Sequence, residues 1–255
     1  MIRKRSLPLA FASASLVLAS LAHAEAIPLA PDSGLTLYQV VASAATLDGK
    51  PGLQITGHPD VLSASTRKRD GLLVALKARG ARPTPADFAT LETEHLAIVD
   101  GIEFGDGTIE VELAGSPVPG AGGFARGFVG VAFRVQPDSE TYDCIYLRPA
   151  NGRALEQTRR NHSTQYVSHP DWPWYRLRAE FPGRYESYVD MVPGEWIPLK
   201  ISVEGDQARL YVGGAEQPSL IVNDLKSGPD GKGKVALWIH ASTVGHFRNL
   251  RITPR

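Results

Sequence analysis

What most constrains this chain is a two-residue rhythm that keeps returning between turn residues. "GTIEVELAG" (107–115) sets Ile109, Val111 and Leu113 on one side and Glu110 and Glu112 on the other. "PLKISVEGDQARLYVGG" (198–214) alternates Leu199, Ile201 and Val203, turns at Gly205-Asp206, and resumes with Leu210 and Val212. Successive side chains of a strand point to opposite faces, so this pattern reads as half-buried strands, and the second stretch as a hairpin. "GKVALWIHA" and "HFRNLRITP" add two strands near the carboxyl end. Strands this frequent, with Gly, Pro, Asp and Asn between them, predict an antiparallel sandwich or barrel rather than βαβ units.

Two stretches break the rhythm. "TPADFATLETEH" (84–95) offers Thr84 as N-cap, Pro85 in the first turn and Asp87 three residues after the cap, which predicts a short helix. The other is "NHSTQYVSHPDWPWYRLR" (161–178), with Pro170, Pro173 and, just beyond, Pro182. It reads as part of a long loop of about 30 residues, and structureless loops of that length are uncommon unless functional.

Arg3, Lys4 and Arg5 precede an apolar run from Leu7 to Leu21 and the small-x-small triplet Ala22-His23-Ala24. That order fits a signal peptide over 1–24, leaving 25–255 as one exported domain, periplasmic or secreted. No later segment approaches about 20 apolar residues, so no membrane span is expected. Removing 1–24 leaves 24 basic against 27 acidic residues. Near-neutrality gives no electrostatic footprint for nucleic acid. Cys144 is the single cysteine and reads as a small strand residue. Oligomeric state is not readable.

In "GFVGVAFRV" (127–135), Phe128, Gly130, Ala132 and Arg134 share a side; in "YDCIYLRP" (142–149), Tyr142, Cys144, Tyr146 and Arg148 do. If the aliphatic sides point inward, Arg134, Tyr146 and Arg148 meet on an outer face beside small residues that leave room for a ligand. Tyr188 follows on "RYESYVDM", and the loop leaves directly from Arg148. Aromatic platforms for sugar faces, with charged groups for hydroxyls, would come from Trp172, Trp174, Arg159, Arg160, Asn161 and Asp171. His162, Tyr166 and His169 are the candidates for moving protons. The plain alternative is that these aromatics form the loop's own small core and the arginines pair with nearby carboxylates.

These segments together, with "GEWIPLKISVEGDQARLYVGG" and the terminal "GKVALWIHASTVGHFRNLRI", resemble the concanavalin A-like lectin/glucanase superfamily, from about residue 95 to 253. The nearest flavour is the laminin-G-like and 3-keto-disaccharide hydrolase-like domains. The resemblance implies an all-β, two-sheet antiparallel jelly-roll sandwich with a concave face that meets carbohydrate. The superfamily's glucanases carry ExDxE, absent here: "EVE" at 110–112 lacks the third acid, and retaining hydrolysis needs two carboxyls about 5–5.5 Å apart. Its lyases use Tyr or His with Arg or Asn, for which the 159–169 stretch has the residue types, but their Gln-Ile-His is absent. Structural calcium is frequent in the superfamily, although no Asp-rich loop specifies it here, and His162/His169 and His240/His246 lack a zinc spacing. No cofactor is expected. Three readings stay open: a glycan-binding protein, a lyase or glycoside hydrolase using the His/Tyr/Arg cluster, and a non-catalytic interaction module.

Overall fold

The computed structural model describes residues 25–255 apart from 33, 85, 86, 88–90 and 92. The proposed signal segment therefore lies outside the described residues. Two seven-stranded antiparallel sheets face one another. The first runs from edge to edge as β1 (Leu35–Tyr38), β4 (Leu96–Val99), β13 (Lys234–Ile239), β6 (Val129–Val135), β7 (Tyr142–Leu147), β8 (Thr164–His169) and β9 (Glu186–Ser187). The second runs as β12 (Leu220–Val222), β11 (Gln207–Val212), β10 (Ile197–Glu204), β5 (Gly107–Pro117), β14 (Thr243–Pro254), β3 (Lys50–Gly57) and β2 (Val40–Leu47). This is the jelly-roll sandwich that the alternation and the resemblance implied.

The core lies where the inward sets meet. Ile109, Val111 and Leu113 of β5, Leu199, Ile201 and Val203 of β10, and Phe247 of β14 face Val131, Ile145, Leu237 and Ile239 of the first sheet, all buried. Each such side chain contributes roughly 1.5–3 kcal/mol on burial, so these rows rather than any helix carry the fold. The β10–β11 hairpin closes Glu204 onto Gln207 around Gly205-Asp206, as expected. Gly205 takes φ 56°, the left-handed region glycine enters without cost.

Three expectations change. The stretch from 151 to 183 is not a structureless loop. It holds the short helices α2 (Pro149–Gly152), α3 (Gln157–Arg160) and α4 (Trp174–Glu180), with strand β8 between the second and third. β8 pairs fully with β7, from Leu147↔Thr164 to Tyr142↔His169, and its ladder stops before Pro170. None of the prolines that argued against a ladder lies inside it. Its alternation of Thr164, Tyr166 and Ser168 against Gln165, Val167 and His169 was hidden because both faces carry polar residues.

Arg134 does not share the outer face. The β6–β13 ladder shifts register between Lys234 and Ala236, and Arg134 sits at that irregularity with φ 55°. An extra residue in a strand reverses its alternation. The Arg134 guanidinium instead turns into the end of the sandwich, wholly enclosed. It donates to Gly105 O (3.2 Å), Ser227 Oγ (2.8 Å), Gly228 O (2.7 Å), Gly205 O (2.7 Å) and Asp106 Oδ1 (3.3 Å). It is a clamp for three loops.

The third change is a 20-residue helix, α1 (Pro59–Ala78). His58 caps it by accepting the Asp60 N–H (3.3 Å), and Pro59 opens it. Leu76 is its single buried residue, so no apolar stripe advertised it. No described helix is long and apolar enough to cross a membrane. Of the helix expected over 84–95, the cap is present: Thr84 N donates to Asp87 Oδ2 (2.8 Å) and Asp87 N to Thr84 Oγ1 (3.3 Å). Much of the remainder lies outside the described residues.

Candidate functional site

The registers of the first sheet align one row of residues across six strands: Leu96, Trp238, Gly130, Tyr146, Gln165 and Glu186. Paired residues share a face, and this is the face opposite the core rows. Gly130 sits between Trp238 and Tyr146, where a Cβ would lie 2.5 Å from Tyr146 Cβ. With glycine there, the two rings stack over it, centroids 4.8 Å apart. The result is an aromatic floor with a charged end.

That end is built around Glu186. Arg148, at the end of β7, donates through Nη1 to Glu186 Oε1 (3.0 Å) and His162 O (3.2 Å), and through Nη2 to Tyr146 OH (3.0 Å) and Gln165 Oε1 (3.1 Å). Arg178 reaches over from α4, with Nε on Glu186 Oε2 (3.0 Å) and Nη2 on Oε1. His162 brings Nε2 to 3.4 Å from Oε2. Phe128 and Trp174 wall the cluster: the Arg148 guanidinium lies 5.9 Å from the Phe128 ring centre, and that of Arg178 4.7 Å from Trp174. Arg178 and His162 remain partly open above the enclosed Glu186. A buried carboxylate survives only when paired and hydrogen-bonded, and this one is held by two guanidiniums.

The electrostatics follow. Burial pushes the Glu186 carboxyl up, but Arg178, Arg148 and His162 together outweigh it and hold the group below its usual range. Burial lowers His162, opposed by Glu186 and reinforced by Arg178 and Arg148, so its imidazole is neutral at neutral pH. The cluster thus offers a fixed anion, cations and one neutral proton acceptor.

The row continues into a second polar group. Trp238 Nε1 donates to Tyr142 OH (3.1 Å), Tyr142 OH donates to Glu94, and His169 Nδ1 lies 3.3 Å from Glu94 Oε1. The His169 ring stacks on Tyr142 at 5.1 Å, and burial pulls its pKa down to about 4. Glu186 and Glu94 therefore stand in different polar groups, joined through Tyr146, Trp238 and Tyr142.

Of the residues expected from sequence, Tyr146, Arg148 and His162 come together, with Trp174 at the wall. Arg160 and Tyr188 pair beside them, the guanidinium 4.7 Å from the ring centre. His169 joins the second group. Tyr166 does not reach the outer face: it is enclosed on the core side, donates to Asp143 Oδ1 (2.7 Å) and accepts the Lys226 N–H (2.8 Å). Burial drives its phenol well above its ordinary value, which removes it as a proton carrier. Trp172 is a pin, with Arg176 3.8 Å and Lys226 4.8 Å from its ring centre. Asn161 and Asp171 are exposed, Asn161 bonded to Gln157 (2.7 Å). Arg159 contacts Glu156 (3.5 Å) and Ala150 O (3.4 Å).

The sequence reading missed Arg178, Gln165, Trp238 and Glu94 as site residues, and had Glu186 only as a member of one of two alternating sets on "RYESYVDM", either of which could join the polar face. Trp238 was available from the alternation of "VALWI", opposite Val235 and Leu237. Gln165 and Glu186 needed β8, which was not recognised. Among the described residues no group of three or more His, Cys, Asp or Glu can hold a metal. Cys144 is enclosed, and burial raises its thiol well above its ordinary value. Two open depressions, of about 290 and 340 Å³, lie on the second sheet near Glu110 and at the sandwich end near Asp106, away from the cluster.

No protein-family model and no curated protein matches the sequence. Among solved structures, the chain is similar to the carbohydrate-binding module CBM66 from Bacillus subtilis, at 13% identity over 88% of this chain and 98% of that one, with a TM-score of 0.50. A protein of unknown function with a galectin-like fold, also from Bacillus subtilis, matches at 11% identity over 85% and 90%, with a TM-score of 0.43. A β-glucanase from Bacillus licheniformis matches at 16% identity over 64% and 71%, with a TM-score of 0.37. At these identities the likeness is one of fold alone, an antiparallel two-sheet sandwich.

Proposed function

We propose that this is an exported protein that binds a saccharide on the outer face of its first sheet. The observation that carries the reading is the Glu186–Arg148–Arg178–His162 cluster set at the end of the Tyr146–Trp238 stack. Sugars present apolar C–H faces and rings of hydroxyls, which aromatic floors and fixed charged hydrogen-bonding groups recognise. CBM66, whose fold this chain shares, is named as a carbohydrate-binding module. Two-carboxylate hydrolysis has little support, because Glu186 is held as an anion and, among the described residues, no second carboxylate bonds into its cluster. Export rests on the segment 1–24 and is checked by sequencing the amino terminus of the mature protein, expected at Glu25.

The test is a panel of oligo- and polysaccharides, scored for binding, for new reducing ends and for absorbance from new double bonds. Binding without turnover is the expected result, and Glu186→Gln abolishes it. A protein that retains no saccharide contradicts the reading. A second reading is β-elimination from a uronide, favoured by the neutral His162 beside two guanidiniums: His162 takes the C5 proton and the cations steady the enolate. The C4–C5 double bond forms as the C4–O glycosidic bond breaks, the departing oxygen taking a proton from the imidazolium or from water. It requires unsaturated product that disappears in His162→Gln.

A further inference from the structure

Charge is unevenly paired around the cluster. Arg153 binds Asp190 (2.9 Å), Arg176 binds Glu180 (2.8 Å), and Lys226 binds Asp224 (2.8 Å), while Arg148 and Arg178 share Glu186. Arg126 breaks the pattern. Its half-buried guanidinium bonds the carbonyls of Gly123 and Ala125 (3.0 Å to the latter) and forms no ion pair among the described residues. One residue ties it to Arg159: Ala150 N donates to Arg126 O (3.1 Å), and Ala150 O accepts Arg159 Nη2 (3.4 Å). After burial, the charges that most depress Arg126 are the Arg159 and Arg148 guanidiniums, ahead of the opposing pull of Glu156.

The same corner holds two buried polar atoms with no partner, Arg159 Nε and Asn151 Oδ1. Asn151 is 4% exposed and is otherwise anchored by Nδ2 donating to His162 O (3.0 Å), within the Glu186 cluster. Unsatisfied buried donors and acceptors are costly, and two of them in one corner are groups that a bound polar molecule could satisfy. Guanidiniums gathered with too little anion are suited to a carboxylate or sulfate, which they bind through paired N–H groups. Phe124, two residues before Arg126, is 91% exposed and offers a ring to an adjoining sugar.

We propose that Arg126 and Arg159, beside Asn151, form an anion subsite that takes the carboxylate of a uronic acid or the sulfate ester of a saccharide lying on the Glu186 face. The assignment rests on the saccharide reading above and narrows it to acidic glycans. Binding is measured for an oligogalacturonate, its carboxyl-reduced counterpart and a sulfated galactan, with the wild-type chain, Arg126→Gln/Arg159→Gln, and Arg67→Gln/Lys68→Gln on the exposed helix as a charge-matched control. The wild type prefers one of the two acidic glycans over the reduced one by about tenfold or more, and which one identifies carboxylate or sulfate as the anion. Arg126→Gln/Arg159→Gln removes that preference, and the control pair keeps it. Equal binding of neutral and acidic forms, unchanged by Arg126→Gln/Arg159→Gln, overturns the anion subsite and leaves the saccharide face standing. An equal loss in the control pair also overturns it, because the attraction is then unspecific. No binding to any of the three by the wild type contradicts both. Arg126→Lys/Arg159→Lys, which keeps charge and fold but loses the planar fork, binds the acidic glycan at an intermediate level.

Discussion

Glu186 is the residue on which the site turns. Its carboxylate is the shared partner of Arg148, Arg178 and His162, so removing its charge leaves the enclosed Arg148 and the partly open Arg178 without an anion. Breaking a buried pair from one side costs about 3–5 kcal/mol. Glu186→Gln therefore lowers the unfolding midpoint in denaturant as well as abolishing saccharide binding, whereas Arg178→Gln, at the open edge, costs less. His240 makes a second, independent prediction. Its Nδ1 accepts the Ser242 N–H (3.1 Å), its ring meets Phe128 at 5.0 Å, and burial, aided by the neighbouring His95, lowers its pKa to about 4. Unfolded, a histidine titrates near 6.5, so between about 6.5 and 4 the unfolded chain takes up a proton the folded chain refuses. The stability is complete above about 6.5 and drains away as pH falls toward about 4. His169 and the buried His95 act in the same direction. Thermal melts should be flat above pH 7 and fall from pH 6.5 to 5, before most carboxylates titrate. His240→Asn, which keeps an acceptor for Ser242, should flatten that slope. Tyr146 and Arg148 were legible from alternation alone, because β7 is regular. Arg134 was not, because a bulge is one unpaired residue with no compositional mark.

The elements show why some of the site was hidden. β7 announces itself by apolar residues on one side, but β8 carries polar residues on both faces and reads as loop. Once β8 is in place, Gln165 and Glu186 fall into the row of Tyr146 and Trp238 by register alone. The histidines and tryptophans of 161–178 then divide by element. His162 precedes β8 and joins the cluster, Trp172 pins the connection, and α4 returns Arg178 over Glu186. The bulge in β6 has a separate job, and that separation is testable. Arg134→Met leaves the Gly105, Gly205 and Gly228 carbonyls without their donor, at a cost of about 3 kcal/mol or more. Urea unfolding should show that loss, while saccharide affinity measured well below the transition stays within about twofold of wild type. A parallel collapse of affinity would mean the clamp and the site are one unit.

The molecule as a whole is a sandwich whose inner faces supply stability and whose first outer face carries the Glu186 cluster and the proposed saccharide site. Its fold was legible because period-two alternation is a property of half-buried strands. The exceptions were α1, which lacks an apolar stripe, and the strands before it, β1 to β3, whose outward residues are mixed. Cys144 reports on the integrity of the sandwich: it is 0% exposed on β7, and burial keeps its thiol protonated. A thiol reagent should label it only at the rate of global opening and at once in denaturant; fast labelling of native protein would mean that the first sheet opens locally. The central claim, that a saccharide lies on the first sheet beside Glu186, is tested most directly by the indole N–H resonances. Trp174 and Trp238 belong to the site, whereas Trp196, bonded to Leu47 O (3.0 Å), belongs to the second sheet. Titration with a saccharide retained in the panel should shift the Trp174 and Trp238 signals, leave Trp196 unmoved, and produce no shift in Glu186→Gln. Movement of Trp196 with Trp174 and Trp238 unchanged would place the ligand on the other sheet and contradict the account.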